Sequence, residues 1–208
     1  DANVGESGYV GYEMRIRAME TAVGSIVGAS GCLYAIRRDL HMQALPNAYS
    51  RDFGAALVAR EHGFRSVSVS DAVCYVPRAP SLRREYRRKV RTITRGMQTL
   101  LYKRHLLNPI RYGAFAWMLF SHKVVRWLTP VAAVVAAAGL VLLAVEHVWA
   151  RALLAAGLVA LGAAGLGWLW PEDRPMPRLI AVPTYFAASN LAILHAWTRA
   201  LTGRGDPV

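Results

Sequence analysis

Two stretches of the sequence decide how the chain is read. Residues 49–53 read YSRDF, and residues 83–96 read RREYRRKVRTITRG. Asp52 is a lone carboxylate that follows a proline-containing loop and opens a short helical pattern. The second stretch is a predicted helix crowded with arginine. Beyond it the sequence becomes strongly apolar, so a carboxylate, a row of arginines and long apolar segments follow one another along the chain.

The charge and the hydrophobicity of the chain are segregated. Its 208 residues are 54% hydrophobic and carry a formal net charge of +12. The first half is a globular mixture with surplus lysine and arginine, whereas the last third is dominated by alanine, leucine, valine and glycine. We therefore predict a soluble domain at residues 1–107, an interfacial amphipathic segment at 108–126, transmembrane helices within 127–200 and a tail at 201–208.

Three apolar segments predict membrane-spanning helices. Residues 127–145 and 152–171 contain no charged residue, and about 20 residues suffice for a helix to cross the hydrocarbon core. Residues 179–198 form a third candidate that contains Pro183 and Asn190, so it reads as a kinked span or a re-entrant segment. Lysine and arginine precede the first span, and the positive-inside rule then predicts a cytoplasmic soluble domain on an inner or plasma membrane.

The soluble part predicts an α/β domain. In some segments the apolar residues recur at helical spacing, or capping residues mark a helix end. In others the residues form short apolar runs or alternate between apolar and polar, as in strands. The predicted helices are residues 9–21, 53–62 and 82–106, and the predicted strands are residues 32–36, 64–70 and 72–76. Helices interleaved with short strands are typical of an α/β fold. Cys32 and Cys74 fall in the strands, so we expect both thiols to be reduced and buried.

Four arginines of the predicted helix share one stripe. Arg84, Arg88, Arg91 and Arg95 are spaced i, i+4, i+7 and i+11, which places them within about 60° of arc. Neighbouring like charges repel by roughly a few tenths of a kcal/mol per pair, so we expect an anion along the stripe. A nucleotide diphosphate and anionic lipid headgroups fit this charge equally well, and nucleic acid is not an expected partner.

Asp52 has two interpretations. An aspartate before a short helix commonly caps that helix. A carboxylate there can also act as a general base that takes a proton from a sugar hydroxyl, while arginines stabilise the charge that develops on a leaving diphosphate. The two roles do not exclude each other. Gly28, Ser30 and Gly31 form either a tight turn or a loop that gives a ligand close access to the backbone.

The order of these motifs resembles that of the membrane-embedded family 2 glycosyltransferases, which include synthases of cellulose, hyaluronan, chitin and poly-N-acetylglucosamine. Residues 28–38, GASGCLYAIRR, look like the family's glycine-containing strand, and residues 51–53 match its Asp-Asp or Glu-Asp motif. Residues 88–92, RKVRT, stand where the family has Gln-x-x-Arg-Trp. Residues 121–127, SHKVVRW, resemble the interfacial segment that precedes its last membrane helices.

The resemblance implies the C-terminal half of a GT-A-type domain, in keeping with a chain that starts at Asp1 rather than Met and is expected to be inactive alone. The implied activity is an inverting transfer of a sugar from a nucleotide diphosphate sugar to a saccharide, polysaccharide or lipid-linked acceptor at the cytoplasmic face. A divalent cation, Mg or Mn, is implied with ligands outside this chain. The implied roles are catalysis by Asp52, diphosphate binding by Arg88, Arg91 and Arg95, and acceptor access at Gly28, Ser30 and Gly31.

Two alternatives stay open. Arg88 stands at the motif's glutamine and Thr92 at its tryptophan, which leaves room for a non-processive enzyme that makes a glycolipid. The second alternative is a non-catalytic membrane protein whose basic helix binds anionic lipid.

Overall fold

The computed structural model describes residues 4–43, 45–46, 49–75, 81–172 and 174–202, and of residues 4–10 it describes the backbone alone. The described chain is helical. Its helices are α1 (Val4–Val23), α2 (Arg38–His41), α3 (Arg51–Glu61), α4 (Leu82–Tyr102), a 3-10 turn (Arg104–Leu107), α5 (Pro109–Tyr112), α6 (Ala114–Leu119), a π-helical segment (Phe120–Val125), α7 (Arg126–Leu143), α8 (Val148–Trp168) and α9 (Arg178–Leu201).

The predicted α/β fold, and with it a GT-A-type domain, is wrong for the described residues, which contain no strand and no sheet. The three predicted strands are irregular segments, of which Val76 lies outside the described residues. The amide of Ile26 donates a hydrogen bond of 2.9 Å to the carbonyl oxygen of Ser66, but no ladder continues from it. Val69 and Tyr75 are 57% and 94% exposed, so the alternating side chains have no facing layer to pack on.

The two cysteines follow from the same correction. Cys32 and Cys74 are free, but both are exposed rather than buried. The Cys74 sulfur lies 3.9 Å from the carbonyl oxygen of Cys32. Their predicted burial is wrong because the strands that would have covered them do not form.

Local signals set the ends of the predicted helices. Ser81 caps α4, since its hydroxyl oxygen accepts a hydrogen bond of 3.3 Å from the amide of Arg84. Gly63 stands just beyond α3 with a φ of 79°, a left-handed conformation that favours glycine after a helix. These signals act over a few residues, and so the helices were predictable from the sequence where the sheet was not.

One hydrophobic core joins the loop before α2, helices α3, α4 and α6, the start of α7 and the C-terminal half of α9. Its buried members are Val27, Phe53, Leu57, Met97, Leu100, Leu106, Tyr112, Phe115, Ala116, Leu119, Trp127, Ile193 and Ala196. Helix α9 therefore packs into the same core as α3, the helix that carries Asp52.

Among the described residues, three helices are long and apolar enough to cross a membrane, which supports a membrane protein. They are Ala114–Leu143, Val148–Trp168 and Arg178–Leu201. The first joins α6, the π-helical segment and α7 into 30 continuous residues. At 1.5 Å per residue it is about 45 Å long, compared with about 30 Å for a hydrocarbon core. Most of the predicted interfacial segment, residues 114–126, thus lies in the same helix as the first predicted span, and the domain boundaries stay predictions.

Small residues let α8 and α9 approach closely. A Cβ on Gly167 would overlap Thr184 Oγ1, and Ala164 and Ala181 are buried at the same contact region. Close approach through glycine and alanine is a common way for helices to associate in membranes.

Candidate active site

Asp52 lies in the first turn of α3 and is half-buried. The N-cap position belongs to Ser50, which makes no side-chain capping hydrogen bond. Instead the Ser50 hydroxyl donates a hydrogen bond of 2.6 Å to Asp52 Oδ1. The carboxylate is thus oriented by a neighbouring hydroxyl and stands inside the helix rather than at its cap.

The glycine loop lies directly against Asp52. A Cβ on Gly31 would be 3.0 Å from Asp52 Oδ2, and a Cβ on Gly28 would be 3.3 Å from the Phe53 ring. Ser30 bonds within the loop, since its hydroxyl oxygen accepts a hydrogen bond of 3.4 Å from the amide of Cys32. The structure therefore brings the predicted loop and the predicted base together, and the two glycines are the residues that permit it.

The three predicted arginines differ in their surroundings. Arg88 forms two hydrogen bonds of 2.8 Å to the buried carboxylate of Glu85, on its own helix. Arg91 is exposed and Arg95 is half-buried. The ion pair with Glu85 already neutralises part of the charge that we expected Arg88 to offer a ligand.

Arg95 is the predicted arginine nearest to Asp52. The amide of Ser50 donates a hydrogen bond of 2.9 Å to Thr99 Oγ1, which fixes the start of α3 against α4. Arg95 precedes Thr99 by one turn, about 6 Å along the helix, whereas Arg91 and Arg88 precede it by about 12 Å and 16 Å. The arginine stripe therefore runs away from the start of α3, and Arg95, at its C-terminal end, is the member closest to that start along the helix.

An ionic network between α1 and the long membrane helix was not foreseen from the sequence. His122 Nδ1 lies 2.7 Å from Glu20 Oε1 and its Nε2 lies 3.5 Å from Glu13 Oε2. Arg126 also pairs with Glu13. The amide of Val27, at the start of the glycine loop, donates a hydrogen bond of 3.2 Å to Glu20. The network thus links α1, the loop and the membrane helix.

The signal for this network was present in the spacing of its members. Glu13 and Glu20 are seven residues apart, and His122 and Arg126 are four apart, so each pair shares one face of its helix. Nothing in the sequence indicated that the two faces meet.

The ionic network also sets the charge of Glu13. Burial alone would raise the pKa of this carboxyl, but the hydrogen bond from His122 and the positive charges of Lys123, His122 and Arg17 together hold the pKa below its ordinary value. Glu13 is therefore ionised at neutral pH and supplies a fixed negative charge beside the membrane helix.

The part of the chain that the structure describes contains no group of three or more histidine, cysteine, aspartate or glutamate side chains that could hold a metal ion. The divalent cation implied by the resemblance therefore has no ligand set among these residues.

Comparison of the chain with models of known protein families, with curated proteins and with solved structures finds no match.

Proposed function

We propose that the chain is part of an inverting, membrane-bound glycosyltransferase, which moves a sugar from a nucleotide diphosphate sugar to a saccharide or lipid-linked acceptor. The observation that carries the proposal is the contact between Asp52 and Gly31. A carboxylate oxygen lies so close to the loop backbone that a Cβ on Gly31 would be only 3.0 Å from it, and the start of α3 is bonded to the basic helix α4 at Thr99. The proposal rests on this local arrangement and does not require an α/β domain.

In this reaction Asp52 acts as the general base. The acceptor hydroxyl attacks the anomeric carbon from the face opposite the diphosphate, so the configuration inverts. The new C–O bond forms as the bond to the diphosphate breaks, and the hydroxyl proton passes to the Asp52 carboxylate. The Ser50 hydroxyl occupies Asp52 Oδ1, and the second oxygen, Oδ2, faces Gly31. A general base must lie within hydrogen-bond distance of the proton that it removes, and Oδ2 is the oxygen that would accept it.

The departing diphosphate gains negative charge as the bond breaks. Arg95 is the arginine best placed to stabilise that charge, since it lies one turn from the Ser50–Thr99 contact. Guanidinium groups donate two parallel hydrogen bonds to phosphate oxygens. Arg91 is exposed one turn nearer the N-terminus of α4, and it extends the same positive surface.

The decisive experiment replaces the base. Asp52→Asn in the full-length protein should reduce sugar transfer by about a thousandfold, within the range that a lost general base costs. Transfer from a panel of radiolabelled nucleotide sugars is measured in membranes that carry equal amounts of folded protein. Asp39→Asn is the control, because Asp39 is exposed and bonded to Arg37. Normal transfer by Asp52→Asn would refute the role of the base.

A second candidate function is supported by the outer face of α4. This helix packs on α9, where Lys89 donates a hydrogen bond of 2.9 Å to Ser189, while Arg84, Arg87 and Arg91 are exposed. Such a surface suits anionic headgroups. Arg91→Ala separates the two candidates, because it weakens nucleoside diphosphate binding in a transferase and weakens only liposome binding in a lipid-binding protein. The length of any product on a gel then distinguishes a polymer from a single glycolipid.

A further inference from the structure

The ammonium group of Lys123 lies against the glycine loop. Its Nζ is 3.7 Å from the position that a Cβ would take on Gly28 and 5.2 Å from the centroid of the Phe53 ring. Phe53 directly follows Asp52. Lys123 belongs to the π-helical segment of the long membrane helix, and segments of this kind occur frequently at functional sites. The membrane helix therefore places a cation beside the glycine loop that contacts the proposed base.

Lys123 is surrounded by charge but makes no direct bond to it. Glu13, Glu20 and Asp52 are near enough for their charges to act on the ammonium. Glu13 and Glu20 are engaged with other groups of the ionic network. Among the residues that the structure describes, Lys123 makes no hydrogen bond and no ion pair. Its ammonium makes a cation–π contact with the Phe53 ring. The half-buried ammonium therefore has hydrogen bonds to offer to a ligand oxygen.

Arg95 lies on α4 near the point where that helix touches the membrane helix. A Cβ on Gly96 would lie 3.3 Å from the Trp127 ring, which shows that α4 and the membrane helix touch here. Arg95 directly precedes Gly96, and Lys123 precedes Trp127 by one turn, about 6 Å. Arg95 and Lys123 therefore belong to two helices that touch each other, and the start of α3 is bonded to α4 one turn from Arg95.

We propose that Lys123 binds a phosphate group beside Asp52 together with Arg95. The chemistry is that of a phosphate monoester or diphosphate held by one ammonium and one guanidinium. Lysine acts there as a compact point charge and arginine as a planar fork, so the pair can hold two different oxygens. The identity of the ligand as the donor's diphosphate rests on the proposed glycosyltransferase, whereas the phosphate site itself does not.

Inorganic pyrophosphate is the probe for this site. Its affinity is measured by isothermal titration calorimetry with the full-length protein in nanodiscs of zwitterionic phosphatidylcholine. Removing one charge-assisted contact should weaken binding by about tenfold or more, so Lys123→Met should show that loss and Lys123→Arg should recover part of it. Unchanged affinity in Lys123→Met would overturn the proposal.

Lys89→Met is the matched control, because the Lys89 ammonium also lies over an aromatic ring, 5.0 Å from the Tyr185 centroid, but on the side of α4 that faces α9. The control should bind pyrophosphate like the unaltered protein. An equal loss in both variants would mean that any removed charge weakens binding, and would also overturn the assignment to Lys123.

Nanodiscs that contain anionic phosphatidylglycerol identify the source of the phosphate. Weaker pyrophosphate binding there, seen only when Lys123 is present, would show that lipid headgroups enter the site. Equal binding in both membranes would show a soluble ligand, and either result supports a phosphate site. Pyrophosphate binding through Lys123 without sugar transfer would refute the proposed function alone. Sugar transfer with unchanged pyrophosphate affinity in Lys123→Met would refute this inference alone.

Discussion

The amide of Ser50 donates a hydrogen bond of 2.9 Å to the hydroxyl oxygen of Thr99. Thr99 is fully buried and in turn donates a hydrogen bond of 2.7 Å to the carbonyl oxygen of Arg95. One threonine thus connects the residue before the helix of Asp52 with the turn that carries the nearest arginine. The distance between the proposed base and the basic helix depends on this contact.

Thr99→Val should destabilise the protein by about 1–3 kcal/mol, because the buried amide of Ser50 loses its acceptor. Thr94→Val is the control, since Thr94 is buried on the same helix and its hydroxyl donates to Val90 within that helix. The two variants are compared by thermal unfolding in detergent. Equal losses in both would show that the contact between α3 and α4 contributes little.

Gly31→Ala should reduce sugar transfer without unfolding the protein. The new Cβ would lie 3.0 Å from Asp52 Oδ2, so the carboxylate has to shift by a few tenths of an ångström. Since a misplacement of about 1 Å costs about a hundredfold in rate, we expect this smaller shift to lower the rate several-fold. Gly24→Ala has open space around its Cβ and should transfer sugar normally. If both variants are fully active, the carboxylate oxygen facing Gly31 has no part in the reaction.

Gly167→Ala should weaken the packing of α8 on α9 by about 1–3 kcal/mol, because the added methyl overlaps Thr184 Oγ1. Gly165→Ala adds the same methyl to the same helix in open space, and the higher helix propensity of alanine should leave that variant at least as stable. Melting temperatures in detergent test the difference. Two equally stable variants would contradict the close packing at Gly167.

Glu13→Gln should destabilise the protein near neutral pH and have little effect in acid. The pKa of folded Glu13 lies below its ordinary value of 4.5, so the ionised group stabilises the fold above about that pH. The stabilisation is lost as the pH falls through the folded-state pKa. At pH 7 the loss should be about 1–2 kcal/mol, because the Glu13 contacts to Arg126 and His122 are lost while the partly exposed Arg126 stays hydrated.

Melting curves of Glu13→Gln at pH 7 and at pH 3 measure this difference. Glu146→Gln is the control, since Glu146 is exposed between α7 and α8 and should melt like the unaltered protein at both values. A deficit of the Glu13 variant that is the same at both pH values would contradict the electrostatic explanation.

Helix α9 should lie on the same side of the membrane as Asp52. Its composition permits a crossing, but Ile193 and Ala196 are buried in the core that also contains Leu57. Cysteines introduced at Leu179 and Leu201, which are 88% and 76% exposed, are labelled with a membrane-impermeant maleimide.

Native Cys32, which is exposed, marks the Asp52 side in that labelling experiment. Both introduced thiols should react from the side on which Cys32 reacts. Reaction of Leu179→Cys and Leu201→Cys from opposite sides would show that α9 crosses the membrane.

The sequence allowed the helices to be predicted but not the sheet, and the reason is physical. A helix satisfies its own backbone hydrogen bonds, so Ser81 and Gly63 carry enough local information to place two helix ends. A strand needs a partner, and the alternation of Val67 and Val69 describes only one side of that pairing. In the described chain these residues face solvent, because no neighbouring strand covers them.

The candidate site divides along the same line. Asp52 and the glycine loop are about 20 residues apart in the sequence, and the structure places Gly31 beside the Asp52 carboxylate. Lys123 comes from the membrane helix 71 residues after Asp52, and its position depends on three packed elements. Arg88 had the correct spacing for the stripe, but its pairing with Glu85 depended on which carboxylate would be buried.

The long helix from Ala114 to Leu143 has a mechanical consequence. About 30 Å of helix separates Lys123 from Leu143, so a change of about 10° in the tilt of that helix displaces one end by about 5 Å relative to the other. Helices tilt when the hydrocarbon thickness of a bilayer changes. Lipid acyl-chain length would thereby change the distance between Lys123 and Asp52. The thickness of the bilayer would then influence the geometry of the site.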